Sequence, residues 1–474
     1  MIRIQSPLPN TAPRLATTAL TVLLAWSAGV ARAETDREVV EVRGELMSVW
    51  PAADLRERGF DIPDIPRDEN AAWVYLDAWN TYPDLPNDLV DAFDHALAKA
   101  WPDNQPQLRK WLTRKKNRTA ISLARKAARM DRCRMPYFGD PDGSIVSVLL
   151  PSLSHHRKVA KLVVVDGRRL AAQKDYRGAM ENYATAMRMG HHVAQGFTLI
   201  EGLVGVAFWS IGDRAVRDMV LRYDIPKHDL ADIFDDWKRL KPLMPTGQRG
   251  FEGERLFGPG IVDEVISSPT HLIRNLNGWS NYDVFSVPAK PQDGWDRLEA
   301  RIGRVFLPDR TIKRHMIEYY DAWVETTRVP YYDERVQNFD EQQQIMRIPR
   351  WDVFSRALLP SLSRARVLTA HCRTDTRATT LALALRLHAL RNRGKYPADL
   401  ADLSVEIEPD DRIDPFGGGE FGYATASGAW TLHSVGPDGI DDGGNPGDRW
   451  DSEESDMVYA FPPEPLEPFD ADED

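Results

Sequence analysis

The residues best suited to chemistry lie in a glycine- and aspartate-rich stretch near the C-terminus, beginning with a loop at residues 436–444. The carboxylates of this stretch are Asp438, Asp441, Asp442, Asp448, Asp451 and Asp456. Calcium takes about six to eight hard oxygen ligands, and a glycine-rich loop lets several carboxylates turn towards one ion. The loop is not an EF-hand, because Ile440 and Arg449 stand where that motif needs oxygen ligands. Two interpretations stay open, a calcium-binding loop and a solvated acidic loop without a metal.

Two histidine pairs are the other candidates for metal binding. His155-His156 and His191-His192 could share an ion if their helices met. No two histidines stand three or four residues apart, however, and adjacent residues on a helix point in different directions. We therefore expect these histidines at the surface or at helix ends.

Motifs of nucleophilic catalysis and nucleotide binding are absent from the sequence, which has no Gly-x-Ser-x-Gly, no Ser-x-x-Lys and no P-loop. A nominal Gly-x-Gly-x-x-Gly at residues 417–422 lies in a turn before a predicted strand, whereas dinucleotide binding needs a strand, a turn and a helix. Glycoside hydrolysis uses a pair of carboxylates, but such a pair can always be chosen from 71 acidic residues and is therefore no evidence of a hydrolase. We expect a protein without a catalytic site. The alternative is an enzyme, such as a hydrolase, whose site lies between helices.

The composition is that of a folded, acidic protein. At about 150 residues per domain, a chain of 474 residues predicts two to three domains. The content of 42% apolar and 28% charged residues excludes a disordered chain. A net charge of −11 repels phosphate backbones, so we expect no nucleic-acid partner. Cys133 and Cys372 could pair in an oxidising compartment or remain two buried thiols.

Residues 1–33 have the pattern of a signal peptide. Arg3 and Arg14 precede an uncharged run at residues 15–31. Ala31-Arg32-Ala33 then has the small residues that signal peptidase requires. We expect an exported protein, in the periplasm or outside the cell. The run is close to the shortest segment that spans a bilayer. An uncleaved transmembrane anchor is therefore the alternative, and the membrane is a partner only in that case.

Helical periodicity dominates residues 70–240. Residues 105–130 form a helical pattern with one basic face. The basic residues of this face are Arg109, Lys110, Arg114, Lys115, Lys116 and Arg118. We interpret them as a solvated helix surface, and a patch for an anionic partner is the alternative.

Residues 163–189 predict an α-hairpin whose small and aromatic positions are Gly167, Ala179, Tyr183 and Ala186. This pattern resembles a tetratricopeptide helix pair, in which small residues let two helices approach and an aromatic ring fills the gap. One such unit is visible, whereas an array needs about three. We predict a helical domain that contains this hairpin, with a repeat-like arrangement left open.

The C-terminal part predicts a long helix followed by a β-hairpin. Alanine and leucine favour a long helix that starts at Ser363 and whose last turns run to Gly394, which can take the left-handed conformation of a helix cap. The motifs Gly-Lys-Tyr-Pro at residues 394–397 and Asp-Pro-Phe-Gly at residues 414–417 come next. Two strands are predicted, at residues 421–425 and 430–435, and the acidic loop follows them.

These pieces, in this order, resemble the globular domain of type II secretion major pseudopilins. The shared pattern is a helix, Gly-x-Tyr-Pro, Asp-Pro-Phe/Trp-Gly, strands and Ser-x-Gly-x-Asp-Gly. The resemblance implies a calcium ion bound by the backbone carbonyl of Val435 and the carboxylate of Asp438. A later ligand of the family falls at Asn445, where this chain departs from the pattern. The candidates to take its place are Asp441, Asp442 and Asp448.

A motif at residues 196–201, Gly-Phe-Thr-Leu-Ile-Glu, is similar to the site cut by prepilin peptidase. It lies deep in the chain, and Asp213 ends the apolar stretch that follows it. We interpret the motif as a coincidence on a buried helix, so we do not expect a pseudopilin subunit. The remainder of the chain resembles a class of secreted bacterial helical proteins, which implies an architecture and no activity.

The predicted fold is mainly α, with helical hairpins and a small C-terminal α+β domain. The predicted units are a signal peptide at 1–33, a helical domain at 34–241, an irregular then helical segment at 242–362, and the pseudopilin-like unit at 363–474. We expect an exported, non-catalytic helical scaffold or binding protein with a calcium-stabilised C-terminal domain and a protein partner. An accessory component of a type II secretion or pilus machine is a further alternative.

Overall fold

The computed structural model describes residues 38–57, 59–102, 105–138, 150–267, 309–350, 362–403, 405–446 and 455–466, and the single positions 352, 355, 356 and 359. The predicted leader and the predicted ligand Asp448 lie outside the described residues. Among the described helices, none combines the length and the apolar character that crossing a bilayer requires.

The described chain opens with an antiparallel hairpin of β1 (Val39–Val42) and β2 (Glu45–Ser48). The helices that follow are α1 (Ala52–Glu57), α2 (Ala71–Thr81), α3 (Val90–Ala98), α4 (Pro106–Leu112) and α5 (Lys115–Ala128). The central helices are α6 (Leu150–Ala172), α7 (Tyr176–Val193), α8 (Leu199–Arg222), α9 (Lys227–Leu240) and α10 (Gln248–Ser267). The last helices are α11 (Asp309–Thr327), α12 (Glu334–Gln337), α13 (Glu341–Arg347) and α14 (Ser363–Arg391). An antiparallel sheet in the order β3 (Gly422–Ala426), β4 (Ala429–Ser434) and β5 (Met457–Phe461) ends it.

This architecture confirms the predicted fold class, mainly α with a small C-terminal α+β part. The β1–β2 hairpin and strand β5 were not predicted from the sequence. The prediction of one helix over residues 105–130 is wrong, because the chain turns between α4 and α5. The Thr113 hydroxyl donates to the Arg109 carbonyl at the end of α4, and Arg114 then takes an extended conformation with ψ 146°.

Helices α6 and α7 form the predicted hairpin. Asp175 caps α7 by accepting the N–H of Gly178 at 3.0 Å. A Cβ on Gly167 would lie 2.4 Å from Cε1 of Tyr183, so the tyrosine ring occupies the space that the glycine leaves free. The small and aromatic residues thus pack as the sequence predicts.

Glycines let neighbouring helices cross at backbone distance. A Cβ on Gly205 of α8 would lie 2.5 Å from the carbonyl oxygen of Gly190 in α7. A Cβ on Gly253 of α10 would lie 1.5 Å from the carbonyl oxygen of Phe197, just before α8. Helix α8 is therefore held closely on two sides, by α7 and by α10.

Helix α14 lies between the helical layer and the C-terminal sheet. On one side the indole N–H groups of Trp209 and Trp237 donate to the hydroxyls of Thr376 and Thr380, each at 2.9 Å. On the other side α14 packs against the sheet, in a core cluster that includes Trp430 of β4. The helix is consequently buried along two faces and belongs to both cores.

The two cysteines are separate. Cys133 and Cys372 are both buried and neither forms a disulfide. Cys133 lies in the core cluster around α2, whereas Cys372 lies in the cluster shared by α7, α8, α9 and α14. Of the two possibilities that the sequence left open, the structure has two unpaired buried thiols.

Candidate metal centre

The end of β4 and the beginning of β5 bring three ligating side chains together. The two strands are antiparallel, with Ser434 opposite Met457. His433 precedes Ser434 in β4, and Asp456 directly precedes β5. The acidic loop leaves β4 and returns Asp441 to the same end of the sheet, beside His433.

Two glycines make room for the imidazole of His433. Gly422 pairs with His433 across β3 and β4, and a Cβ on Gly422 would lie 2.0 Å from Cε1 of the ring. A Cβ on Gly444 of the loop would lie 3.4 Å from Nδ1. The ring is therefore held between strand β3 and the loop. Its Nε2 lies 3.1 Å from Oδ1 of Asp441.

Asp456 presents a buried carboxylate oxygen without a partner. The residue is 3% exposed, and its Oδ2 accepts the N–H of Gly444 at 2.7 Å. Its Oδ1 makes no hydrogen bond within the described part of the chain. A buried carboxylate oxygen is unfavourable unless a donor or a cation satisfies it. The ligating atoms of His433, Asp441 and Asp456 lie within 4.8 Å of one another, so one ion could contact all three.

Asp414, the first residue of the Asp-Pro-Phe-Gly motif, positions the end of β4. It is 2% exposed, and its Oδ1 accepts the hydroxyl of Ser434 at 2.7 Å and the N–H of Phe416 at 3.0 Å. Its Oδ2 accepts the N–H of Val435 at 2.9 Å. The motif therefore fixes the point where the acidic loop leaves the sheet.

The predicted ligands take different positions. Asp441 belongs to the three-residue group, and the N–H of Gly443 lowers its pKa. Asp438 is exposed, accepts a backbone N–H within the loop and lies outside the group, as does the exposed Asp442. Val435 contacts Asp414 through its N–H, and Asp448 lies outside the described residues.

Sequence reasoning did not consider His433 and named Asp456 only among the carboxylates of the acidic stretch, whereas the structure places both beside Asp441. The signal that could have found Asp456 is the short apolar run at residues 457–461. Recognising this run as a strand antiparallel to β4 would place Asp456 next to the end of that strand, close to His433.

The motif at residues 196–201 forms the N-terminus of α8. The Thr198 hydroxyl accepts the N–H of Glu201 at 3.2 Å, and the Glu201 carboxylate accepts the N–H of Thr198 at 3.2 Å, which is a capping box. The hydroxyl of Tyr137 also donates to this carboxylate at 2.9 Å. Burial raises the pKa of Glu201 to about 7. The helix cap thus accounts for the two polar side chains of the motif, Thr198 and Glu201.

A second carboxylate lies close to this cap. The Oε1 of Glu254 in α10 accepts the N–H of Leu199 at 3.1 Å, and burial raises the pKa of Glu254 to about 7. Among the described residues, Glu201, Glu254 and Asp213 are the carboxyl groups whose pKa burial raises to about 7. Asp213 lies elsewhere in α8, beside Arg217. Glu201 and Glu254 lie together. Both are engaged in capping the first turn of α8.

The expectation of a position at the surface or at a helix end is wrong for His156, which is buried within α6, whereas His192 stands in the last turn of α7 and is buried there. The indole N–H of Trp79 donates to Nδ1 of His156 at 3.2 Å, and the hydroxyl of Tyr75 pairs with Nδ1 of His192 at 3.0 Å. Burial lowers the pKa of His156 to about 3 and that of His192 to about 4. Both imidazoles are therefore neutral at pH 7. They lie in the interior because α6 and α7 pack against α2.

Comparison of the chain with protein-family models, with curated proteins and with solved structures found no match.

Proposed function

We propose that this protein is an exported, non-catalytic helical scaffold that binds an acidic protein partner and carries a pseudopilin-like lobe stabilised by a divalent cation. The observation that carries the proposal is the basic band on α4 and α5. The residues of the basic band are Arg109, Lys110, Arg114, Lys115, Lys116 and Arg118.

All six side chains of the basic band are exposed, and none forms an ion pair within the part of the chain that the structure describes. This concentration of positive charge contrasts with the net charge of −11. Lys115 and Lys116 stand in the first turn of α5, where the helix dipole disfavours cations. Lysines at these two positions lower the stability of α5, so a role in binding explains them better than a role in folding.

The stacked helices support a scaffold role. The α6–α7 hairpin packs in the tetratricopeptide-like way described above, and α8 continues the stack through the Gly190–Gly205 crossing. Stacked helical hairpins of this kind present extended surfaces for protein partners. Export is supported by the leader pattern of residues 1–33.

The pseudopilin-like nature of the C-terminal lobe is supported by the order of its parts. The long helix, the two motifs, the hairpin and the acidic loop follow one another as the resemblance requires. The carboxylates of Asp441 and Asp456 supply oxygen ligands that suit the calcium ion implied by the resemblance. His433 supplies a nitrogen, which bears on the identity of the metal.

Charge reversal within the basic band tests the proposal. We expect Lys115→Glu/Lys116→Glu to weaken binding of the full chain to polyglutamate, an acidic polypeptide probe, by at least about tenfold. The same change should raise the stability of the free protein by about 1 kcal/mol, because acidic residues in the first turn complement the helix dipole. Fluorescence anisotropy measures the binding and chemical denaturation measures the stability.

The matched control is Lys227→Glu/Lys395→Glu, which makes the same change of net charge at two exposed lysines outside the basic band. We expect this control to bind the probe nearly as well as the unmodified chain. Equal losses in both variants would contradict a localised binding surface, since total charge alone would then explain the binding. If a protein that binds through the basic band belongs to a secretion or pilus machine, this chain is an accessory component of that machine.

A further inference from the structure

We infer that His433, Asp441 and Asp456 bind a divalent first-row transition metal of the zinc class, which ties the acidic loop to the start of β5. This inference deepens the proposed cation-stabilised lobe and rests on it. It differs from the sequence-based expectation in both the ligands and the class of metal.

The donor set carries the choice of metal. Calcium and magnesium prefer oxygen ligands only, whereas imidazole nitrogen suits zinc and its first-row neighbours. A histidine combined with carboxylates is a common ligand set for zinc. The Nε2 of His433 lies 3.1 Å from Oδ1 of Asp441, so a cation bound by this carboxylate would be within reach of the imidazole.

An independent observation points to a ligand at this place. Asp456 is almost completely buried, and its Oδ1 has no hydrogen-bond partner among the described residues. Its other oxygen is held by the N–H of Gly444, which fixes the orientation of the carboxylate. A metal at the point shared with His433 and Asp441 would satisfy the unpartnered oxygen.

The surrounding structure fixes the positions of the ligands. Gly422 and Gly444 confine the His433 ring from two sides. Asp414 fixes the end of β4 through two hydrogen bonds, from the Ser434 hydroxyl and the Val435 N–H, and the N–H of Asp456 donates to the carbonyl of Asn445 at 3.2 Å. Three protein ligands leave at least one coordination position for water or for a group of a partner.

Metal titration of the chelator-treated full chain tests the inference. We expect one Zn²⁺ to bind per chain in isothermal titration calorimetry, with little competition from millimolar Ca²⁺. His433→Ala should weaken zinc binding by at least about 10- to 100-fold, since even residues that only support a metal ligand have effects of that size. Substituting Co²⁺ should give the d–d absorption of a nitrogen-containing site, and His433→Ala should abolish that spectrum.

Asp441→Asn is a second ligand variant at an exposed position, where loss of folding is not expected. Asp438→Asn is the control, because it removes a carboxylate of the same loop that lies outside the group. Absence of zinc binding, or zinc binding that both ligand variants leave unchanged, would overturn the inference. Calcium that displaces zinc and still binds to His433→Ala would also overturn it. Binding of polyglutamate by the basic band is measured separately, so the two proposals can fail independently.

Discussion

At the scale of single residues, buried polar side chains connect helices that are distant in sequence. Glu201 is the clearest example, because its carboxylate caps α8 and accepts the hydroxyl of Tyr137 from the segment after α5. The carboxylate is shielded from solvent, which raises its pKa to about 7, against an ordinary value of 4.5. Its protonation is therefore linked to the stability of the fold.

We expect Glu201→Gln to remove part of the pH dependence of stability. Between pH 4.5 and 7 the folded protein keeps a proton on Glu201 that the unfolded chain releases, so this residue favours folding at low pH. That contribution is lost as pH rises through about 7. The loss amounts to about 3 kcal/mol between pH 5 and pH 8, and Gln cannot show it. Urea denaturation at a series of pH values measures the difference.

Glu252→Gln is the control for this experiment, because Glu252 is an exposed residue of α10. We expect its stability to change with pH as in the unmodified protein. If Glu201→Gln also keeps the original slope between pH 5 and pH 8, the carboxyl group of Glu201 is not protonated in the folded state at pH 5 to 7.

Residue roles were predicted least well from the sequence, for a physical reason. The pattern of Gly and Asp marks the acidic loop, and Asp441 does join a cluster of possible ligands. His433 was not considered and Asp456 was not chosen as a ligand, because the two residues meet only through the pairing of β4 with β5, across a loop of more than twenty residues. The burial of His156 and His192 was not predicted because the spacing argument treats each helix alone, whereas α6 and α7 both turn a histidine towards α2.

At the scale of elements, close helix crossings depend on glycines whose neighbours are backbone atoms. We expect Gly253→Ala to lower the free energy of unfolding by at least about 3 kcal/mol. The added methyl group would lie 1.5 Å from the carbonyl oxygen of Phe197, so α10 must move away from α8. Chemical denaturation measures the change.

Gly260→Ala provides the comparison within the same helix. A Cβ at Gly260 meets nothing within 4 Å, so only helix propensity changes, and we expect stability to increase by up to about 1 kcal/mol. Similar effects of the two substitutions would show that the crossing of α10 over α8 does not determine the stability of this region.

Elements with local signals were predicted well. Helix α14 begins at the predicted Ser363 and ends at Arg391, a few residues before Gly394, which takes the left-handed conformation expected of a cap, with φ 82°. Strands β3 and β4 lie within one residue of their predicted positions. The segment from residue 242 was expected to be irregular before it became helical, whereas the structure has helix α10 at Gln248–Ser267. Its contacts with α8 and α11, which the sequence cannot show, stabilise it over Gln248–Ser267.

At the scale of the whole molecule, α14 joins the C-terminal lobe, which consists of the sheet β3–β5 and its loops, to the helical layers formed by α7, α8 and α9. The sequence places a unit boundary before residue 363, where the long helix of the pseudopilin-like unit is predicted to begin, and this division stays a prediction. Side chains of α14 belong to one core cluster with α7, α8 and α9, and to another with the sheet. A fragment beginning at Ser363 would expose the threonines that receive Trp209 and Trp237. Experiments on the lobe therefore need the full chain.

A charged network adds a second connection between these parts. Arg217 of α8 lies 2.8 Å from Oδ1 of Asp375 in α14 and donates to the hydroxyl of Thr379 at 2.9 Å. Its guanidinium stands 4.9 Å from the ring of Tyr459 in β5, and the hydroxyl of Tyr459 donates to Asp375 at 3.1 Å. The buried Asp213 is the nearest further carboxylate, 3.7 Å from Arg217. One cation thus balances carboxylates from two helices.

We expect Arg217→Met to destabilise the protein by about 3–5 kcal/mol, because it leaves the buried Asp213 and the partly buried Asp375 without their cation. Hydrogen exchange followed by mass spectrometry should show faster exchange in Leu199–Arg222 and in Met457–Phe461 together, since Arg217 joins these elements. Arg314→Met is the control, because Arg314 is exposed and its pair with Glu318 contributes less than about 1 kcal/mol. Faster exchange confined to α8 would mean that the sheet is held by its apolar contacts with α14 alone, and that the network does not couple the lobe to the helical layers.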